Sequence, residues 1–148
     1  MVYGGVDVGA KGGFSLIDSE TQEVEVSLWD DKAFAERMRA LKESGKPCVV
    51  CVEKVSAMPG QGVAGMFRFG QSLGYIIGVL SGLNIPFQLV PPQTWKKEFS
   101  LIHQDKAKSI ETCQRLFPQV NLIPPRCRKA SDGEAESLLL AAFASRRF

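Results

Sequence analysis

Four carboxylates lie along this chain in an order suited to holding two divalent cations: Asp7 inside the first apolar run, Glu53 at the end of another, and Asp132 with Glu136 opening the last helical stretch. Carboxylates suit Mg²⁺, a hard ion that takes oxygen ligands and keeps several waters. Two such ions about 4 Å apart activate a water and stabilise the leaving oxygen of a phosphodiester during in-line displacement. Without a cation, clustered acids repel and some take up protons. Taken one at a time, the acids have plainer readings. Asp7 could cap the turn that follows it, Glu53 could be a solvated loop residue, and Asp132 with Glu136 could form an acidic first turn favoured by the helix dipole.

The elements that must position these acids are legible from punctuation and periodicity. Residues 2–9 and 14–18 read as two strands joined by a Gly-rich turn. Alternation puts Asp7 on one face with Tyr3, Gly5 and Gly9, and Val6 and Val8 on the other, so that small neighbours leave room for a ligand beside the acid. Residues 48–53 form an oily run ending in Glu53, as in a buried strand that delivers a carboxylate to the edge of a sheet. Ser131 and Glu134 fit a capping box before the apolar stretch 135–144, which gives Glu134 a structural task. Asp132 and Glu136 then lie four apart on one helical face, where like charges cost a few tenths of a kcal/mol unless a cation lies between them. Over the whole chain, strands are expected near 2–9, 13–18, 23–29, 47–53 and 86–90, with helices near 31–44, 67–82, 92–98, 105–116 and 131–146. This is an alternating α/β pattern without repeats or low-complexity runs.

A length of 148 residues and a hydrophobic content of 45% suit one compact domain, 1–148, with a real core. No segment is expected to reach the roughly 18 consecutive apolar residues of a membrane span. Met1 leads straight into a strand with no basic, apolar or Ser/Arg-rich leader, which makes the cytoplasm the default location. Cys48 and Cys51 are spaced as Cys-x-x-Cys, but three residues apart on a strand their thiols face opposite ways, which argues against zinc or redox work. Cys113 and Cys127 read as ordinary reduced cysteines.

The order strand acid, strand acid, helix-borne acid pair resembles the RNase H-like nuclease superfamily, and within it the RuvC-type Holliday junction resolvases. Gly5-Val6-Asp7-Val8-Gly9 is similar to that family's Gly-Ile-Asp-Pro-Gly strand and Val52-Glu53 to its second acidic strand. Ala135-Glu136-Ser137-Leu138-Leu139-Leu140-Ala141 is similar to its closing helix, and Phe69-Gly70-Gln71-Ser72-Leu73-Gly74 to its Gly-Gln-x-x-Gly segment. A long Gly/Pro-containing loop after Glu53, Pro91-Pro92-Gln93-Thr94-Trp95-Lys96-Lys97, and Lys129 leading into Asp132-Gly133 resemble the plant chloroplast (monokaryotic chloroplast) resolvases, of which this chain would be a bacterial or phage relative. Ala10 and Lys11 depart from the usual residues after the first acid, Glu136 stands where Asp is typical, and Asp132 precedes it by four residues rather than three. The resemblance implies an RNase H-like fold, a central mixed five-stranded sheet flanked by helices. It also implies two Mg²⁺ ions per site, replaceable by Mn²⁺, with Asp7 bridging both, Glu53 on one side, and Asp132 and Glu136 on the other.

The net charge is only +2, so DNA binding would depend on where the cations fall. Lys96 and Lys97 follow a Pro-Pro turn, Lys106 and Lys108 open a helix, Arg126, Arg128 and Lys129 precede the last helix, and Lys11 lies beside Asp7. Lys54 and Arg68 flank the Gly-rich segment 54–69. That segment reads as a loop whose apolar tips, Met58 and Met66 among them, could wedge between bases while Gln61 or Ser56 reads a base edge. Met66, Phe67 and Phe69 have core or dimer packing as their plainer reading, which is preferred for Phe69. His103 reads as a surface or capping residue. Gly70, Gly74, Gly78 and Ser81, spaced about one helical turn apart, could form a homodimer seam. The expectation is a homodimeric, metal-dependent endonuclease that cuts four-way DNA junctions symmetrically. The alternatives are an RNA-directed YqgF-like nuclease and a non-catalytic junction-binding protein.

Overall fold

The computed structural model describes residues 1–55 and 60–148. The chain begins with β1 (Val2–Asp7), β2 (Gly13–Asp18) and β3 (Val24–Leu28), an antiparallel meander, and continues through α1 (Asp31–Glu43), β4 (Cys48–Glu53), α2 (Val63–Gly82) and β5 (Phe87–Val90). Three helices follow: α3 (Pro92–Glu98), α4 (Lys106–Leu116) and α5 (Asp132–Arg147). The sheet order is β3-β2-β1-β4-β5, with β4 parallel to both β1 and β5, which is the mixed five-stranded sheet expected.

Helices cover both faces of the sheet, and strand alternation divides the core in two. Val6, Val50 and Val52 point to one side, against Phe34, Met38 and Leu41 of α1 and Ile76 and Leu80 of α2. Cys51 points to the other, against Trp95, Phe99, Leu101, Leu138 and Leu139. Cys48 belongs to the first side and Cys51 to the second, so the paired thiols do diverge. The helix starts obey local chemistry. Asp30 Oδ2 accepts from the Ala33 amide at 2.8 Å and Asp105 Oδ1 from the Lys108 amide at 3.0 Å, each satisfying a backbone donor that the helix leaves open.

Three expectations need correction. The first concerns α2, which begins at Val63 rather than 67, so residues 63–66, Met66 among them, are helical and not loop. The Met66 amide bonds to the Gly62 carbonyl at 3.0 Å, and the glycines nearby had diluted the helical pattern. The second is that α2, alone among the described residues, is by length and composition long and apolar enough to cross a membrane. Arg68, Gln71 and Ser72 break the consecutive apolar run, but the rest of the helix is apolar enough to outweigh them. The third is the space over Gly5, two residues before Asp7, which is taken by protein and not left for a ligand. A Cβ on Gly5 would lie 2.1 Å from the Ser137 carbonyl oxygen and 2.4 Å from the Ala141 amide nitrogen, because α5 crosses β1 at backbone distance.

The capping box is half made. Ser131 Oγ accepts from the Glu134 amide at 3.2 Å, but the Ser131 amide donates to the Leu122 carbonyl at 2.8 Å instead of to the Glu134 side chain. From Gly133 to Ala144 every residue of α5 is buried, with Leu138, Leu139 and Leu140 at 0% exposure. Each buried leucine contributes on the order of 2 kcal/mol of apolar transfer, so α5 anchors the fold through its own length.

Gly5→Ala is expected to push α5 off β1 and cost at least ~2 kcal/mol, the range for overpacked cores. A urea unfolding midpoint unchanged from wild type would refute this.

Candidate metal centre

β1 and β4 run parallel with Val6 opposite Val52, so Asp7 and Glu53, one residue further on, emerge side by side at the carboxyl ends of neighbouring strands. Ligands characteristically meet parallel sheets at that end. α5 crosses the same face and brings Glu136 to them. Asp7, Glu53 and Glu136 each offer a carboxylate oxygen within 4.8 Å of the others. Opposite ligands of an octahedral Mg²⁺ are separated by about 4.2 Å, twice its bond length, so the set is one small adjustment from ligating. All three donors are oxygens, which fits a hard dication.

Asp132, the fourth acid, lies outside that group. Its Oδ2 is 3.0 Å from Lys106 Nζ, an ion pair reaching across from α4, yet it remains near enough for its charge to act on Asp7 and Glu136. Asp7 is 9% exposed. Burial, reinforced by the charges of Glu53, Glu136 and Asp132, pushes its carboxyl from the ordinary 3.8 up to about 9, against a smaller opposing pull from Lys106. Burial first, then Glu53 and Asp132, also raise Glu136, with Lys96 and Lys106 opposing. The Lys106 ammonium is held above its ordinary value by its bond to Asp132. This is an anionic pocket that resists full ionisation and would accept a cation.

Two groups beside the acids have no signature in the local sequence. The Trp95 indole donates to Glu53 Oε2 at 2.8 Å, and the Ser109 hydroxyl donates to Glu136 Oε1 at 3.4 Å. A tryptophan placed to be buried needs an acceptor for its N–H, which could have flagged Trp95, but not its partner 42 residues away.

The expected DNA-contacting residues are placed unevenly. Lys96 acts on Glu136, Lys106 on Asp7 and Asp132, and Lys11 is exposed in the β1–β2 turn, its carbonyl packed against Gly133. Arg126, Arg128 and Lys129 are exposed in the segment leading to Ser131, and Lys54 and Arg68 are exposed as well. Lys97 lines a cavity of about 570 Å³ with Gln93, Thr94, Glu98, Ile102 and Arg147, and Lys108 pairs with Glu111 at 3.4 Å; neither belongs to the acidic group. Gln61 is half-buried just before α2. Met58 and Ser56 lie outside the described residues. Phe69, expected in a core or dimer contact, is 38% exposed, and its ring lies over Gly9, just past Asp7.

No family model matches the chain, and no curated protein does. Solved structures do. A Thermus thermophilus RuvC in complex with Holliday junction substrate aligns over 99% of this chain and 95% of its own, with 18% identity and a TM-score of 0.62. A second Thermus thermophilus RuvC structure covers 99% and 96% with 18% identity and a TM-score of 0.59. The yeast mitochondrial Holliday junction resolvase covers 97% and 77% with 15% identity and a TM-score of 0.50. The chain has an α/β RNase H-like fold.

The folded protein keeps the Asp7 proton to about 9 while the unfolded chain releases it near 3.8. Stability from this group is therefore full below the lower value and declines as pH rises through the window between them. In chelator, the melting temperature of wild type relative to Asp7→Asn is expected to fall from pH 5 to pH 9. At pH 8, Mn²⁺ is expected to raise it for wild type only. A difference that stays flat with pH would contradict the electrostatics described.

Proposed function

We propose that this chain is one RNase H-like nuclease domain, residues 1–148, that resolves four-way DNA junctions by paired symmetric phosphodiester hydrolysis, leaving 5′-phosphate and 3′-hydroxyl ends. The observation that carries this reading is the convergence of Asp7, Glu53 and Glu136, with oxygens within 4.8 Å, at the carboxyl end of parallel strands. Support comes from the likeness of the fold to a RuvC in complex with Holliday junction substrate. In this reading Asp7, Glu53 and Glu136 hold Mg²⁺, or Mn²⁺ in its place, and Asp132 joins them by exchanging its bond to Lys106. Bound, the ions would supply a polarised water and neutralise charge at the leaving oxygen. Lys106 and Lys96 are then left near the scissile phosphate, and Lys11, Arg126, Arg128 and Lys129 grip flanking backbone without reading sequence.

The active form is a homodimer, because two equivalent strands of a junction are cut at matching positions by a two-fold assembly. The seam is α2, where Cβ atoms on Gly70, Gly74 and Gly78 would meet nothing within 4 Å in one copy. Exposed Val63 and Phe67, at 80% and 67%, lie at its open end toward the DNA. The protein works in the cytoplasm, and the Trp95-Lys96-Lys97 and Lys129 to Gly133 segments support kinship with the chloroplast resolvases.

A labelled mobile junction in Mg²⁺ is expected to receive paired nicks that linear duplex does not. Glu136→Gln is expected to lower the rate at least ~100-fold, beyond the loss typical of groups that only support a ligand. Cleavage of a DNA/RNA hybrid instead would move the assignment to an RNA-directed nuclease of the YqgF kind, and tight junction binding without cutting would leave a non-catalytic binding protein.

Gly74→Arg, tested by sedimentation, is expected to give monomers; dimers of undiminished affinity would remove α2 as the seam.

A further inference from the structure

α3 starts at Pro92, directly after β5, and β5 pairs with β4 so that Val90 lies opposite Glu53. The Lys54 amide closes this junction by donating to the Val90 carbonyl at 2.8 Å. Trp95 therefore arrives beside Glu53 on a short, Pro-started helix. Its indole is 0% exposed and belongs to the cluster containing Phe99, Leu101 and Leu138, so packing fixes the ring. Indole has one donor and no acceptor, and here that donor engages Glu53 Oε2 at 2.8 Å. Oε1 has no hydrogen-bond partner among the described residues, which makes it the more open of the two oxygens to a cation.

We propose that Trp95 is a positioning residue that holds Glu53 as a one-oxygen ligand, and that it thereby biases the site toward a small octahedral dication, Mg²⁺ or Mn²⁺, over Ca²⁺. The inference rests on the metal-site reading given above. Ca²⁺ gathers about six to eight oxygens and readily takes carboxylates bidentately, whereas Mg²⁺ demands near-ideal octahedral geometry with fewer protein oxygens. A Glu53 free to rotate could present both oxygens; one anchored by a buried N–H presents one. Partners that orient a ligand in this way are worth about 10–100-fold in metal affinity.

The test is calorimetric titration of Mn²⁺ and Ca²⁺ into wild type, Trp95→Phe, and a protein carrying 3-benzothienylalanine at position 95, which keeps the shape and replaces N–H with sulfur. Both substitutions are expected to raise the Mn²⁺ dissociation constant about tenfold or more and to change that for Ca²⁺ less, which narrows the preference between the ions. Unchanged affinities, or Mn²⁺ and Ca²⁺ weakened by the same factor, would overturn the proposal and leave Trp95 as packing. Should Trp95→Phe fail to fold, the isostere decides. Wild type binding neither ion would instead bring down the metal-site reading, and the role of Trp95 with it.

Discussion

α5 lies on β1 at backbone distance because Gly5 has no side chain, and it meets the β1–β2 turn the same way, where a Cβ on Gly133 would be 2.2 Å from the Lys11 carbonyl oxygen. A helix touched at a single point can rock about it, whereas two close contacts about two turns apart leave its axis little freedom. Glu136 lies between them and so inherits its place over the end of β1. The Ser15 and Ser137 hydroxyls, bonded at 2.6 Å, and the buried leucines that follow lock the helix against slipping along the sheet. The acids meet because two glycines let backbones touch, and the rest of the α5 side of the core packs around that approach.

The same closeness has an electrostatic cost. Three carboxylates partly removed from water repel each other, and the protein answers in two ways before any ion arrives. Asp7 keeps its proton, and Lys106 and Lys96 approach from α4 and α3. Both answers are provisional. A dication held by these oxygens would replace the proton and outcompete a distant ammonium, which would link binding to conformational stability, with tighter binding giving a firmer fold. The pairing of Asp132 with Lys106 is the arrangement such an exchange would have to undo.

Most element boundaries were legible because the chain is well punctuated. Asp30, Asp105 and Ser131 open helices, Pro92 starts α3, and short apolar runs bounded by turn residues mark the strands. The three clustered acids were also legible, since each lies within or at the edge of an apolar run. What escaped depends on pairs far apart in the chain. Gly5 and Gly9 read as room for a ligand, but what fills that room is decided far along the chain, by residues 137 and 141 over Gly5 and by Phe69 over Gly9. Asp132 and Glu136 do share a helical face, yet Lys106 of α4 draws one of them aside. The second half of the capping box failed because the Leu122 carbonyl, from the preceding loop, claimed the Ser131 amide first.

The cysteines differ in a way with practical use. Burial pushes the thiols of Cys51 and Cys113 up to about 12, and burial also raises Cys48, so none of the three forms thiolate readily. Cys127 is exposed, between Arg126 and Arg128. A maleimide dye or spin label would therefore enter the native chain at one place without mutagenesis, on the basic segment leading into α5. That probe would report the arrival of an anionic polymer there by a change in its own spectrum, independently of whether any bond is cut.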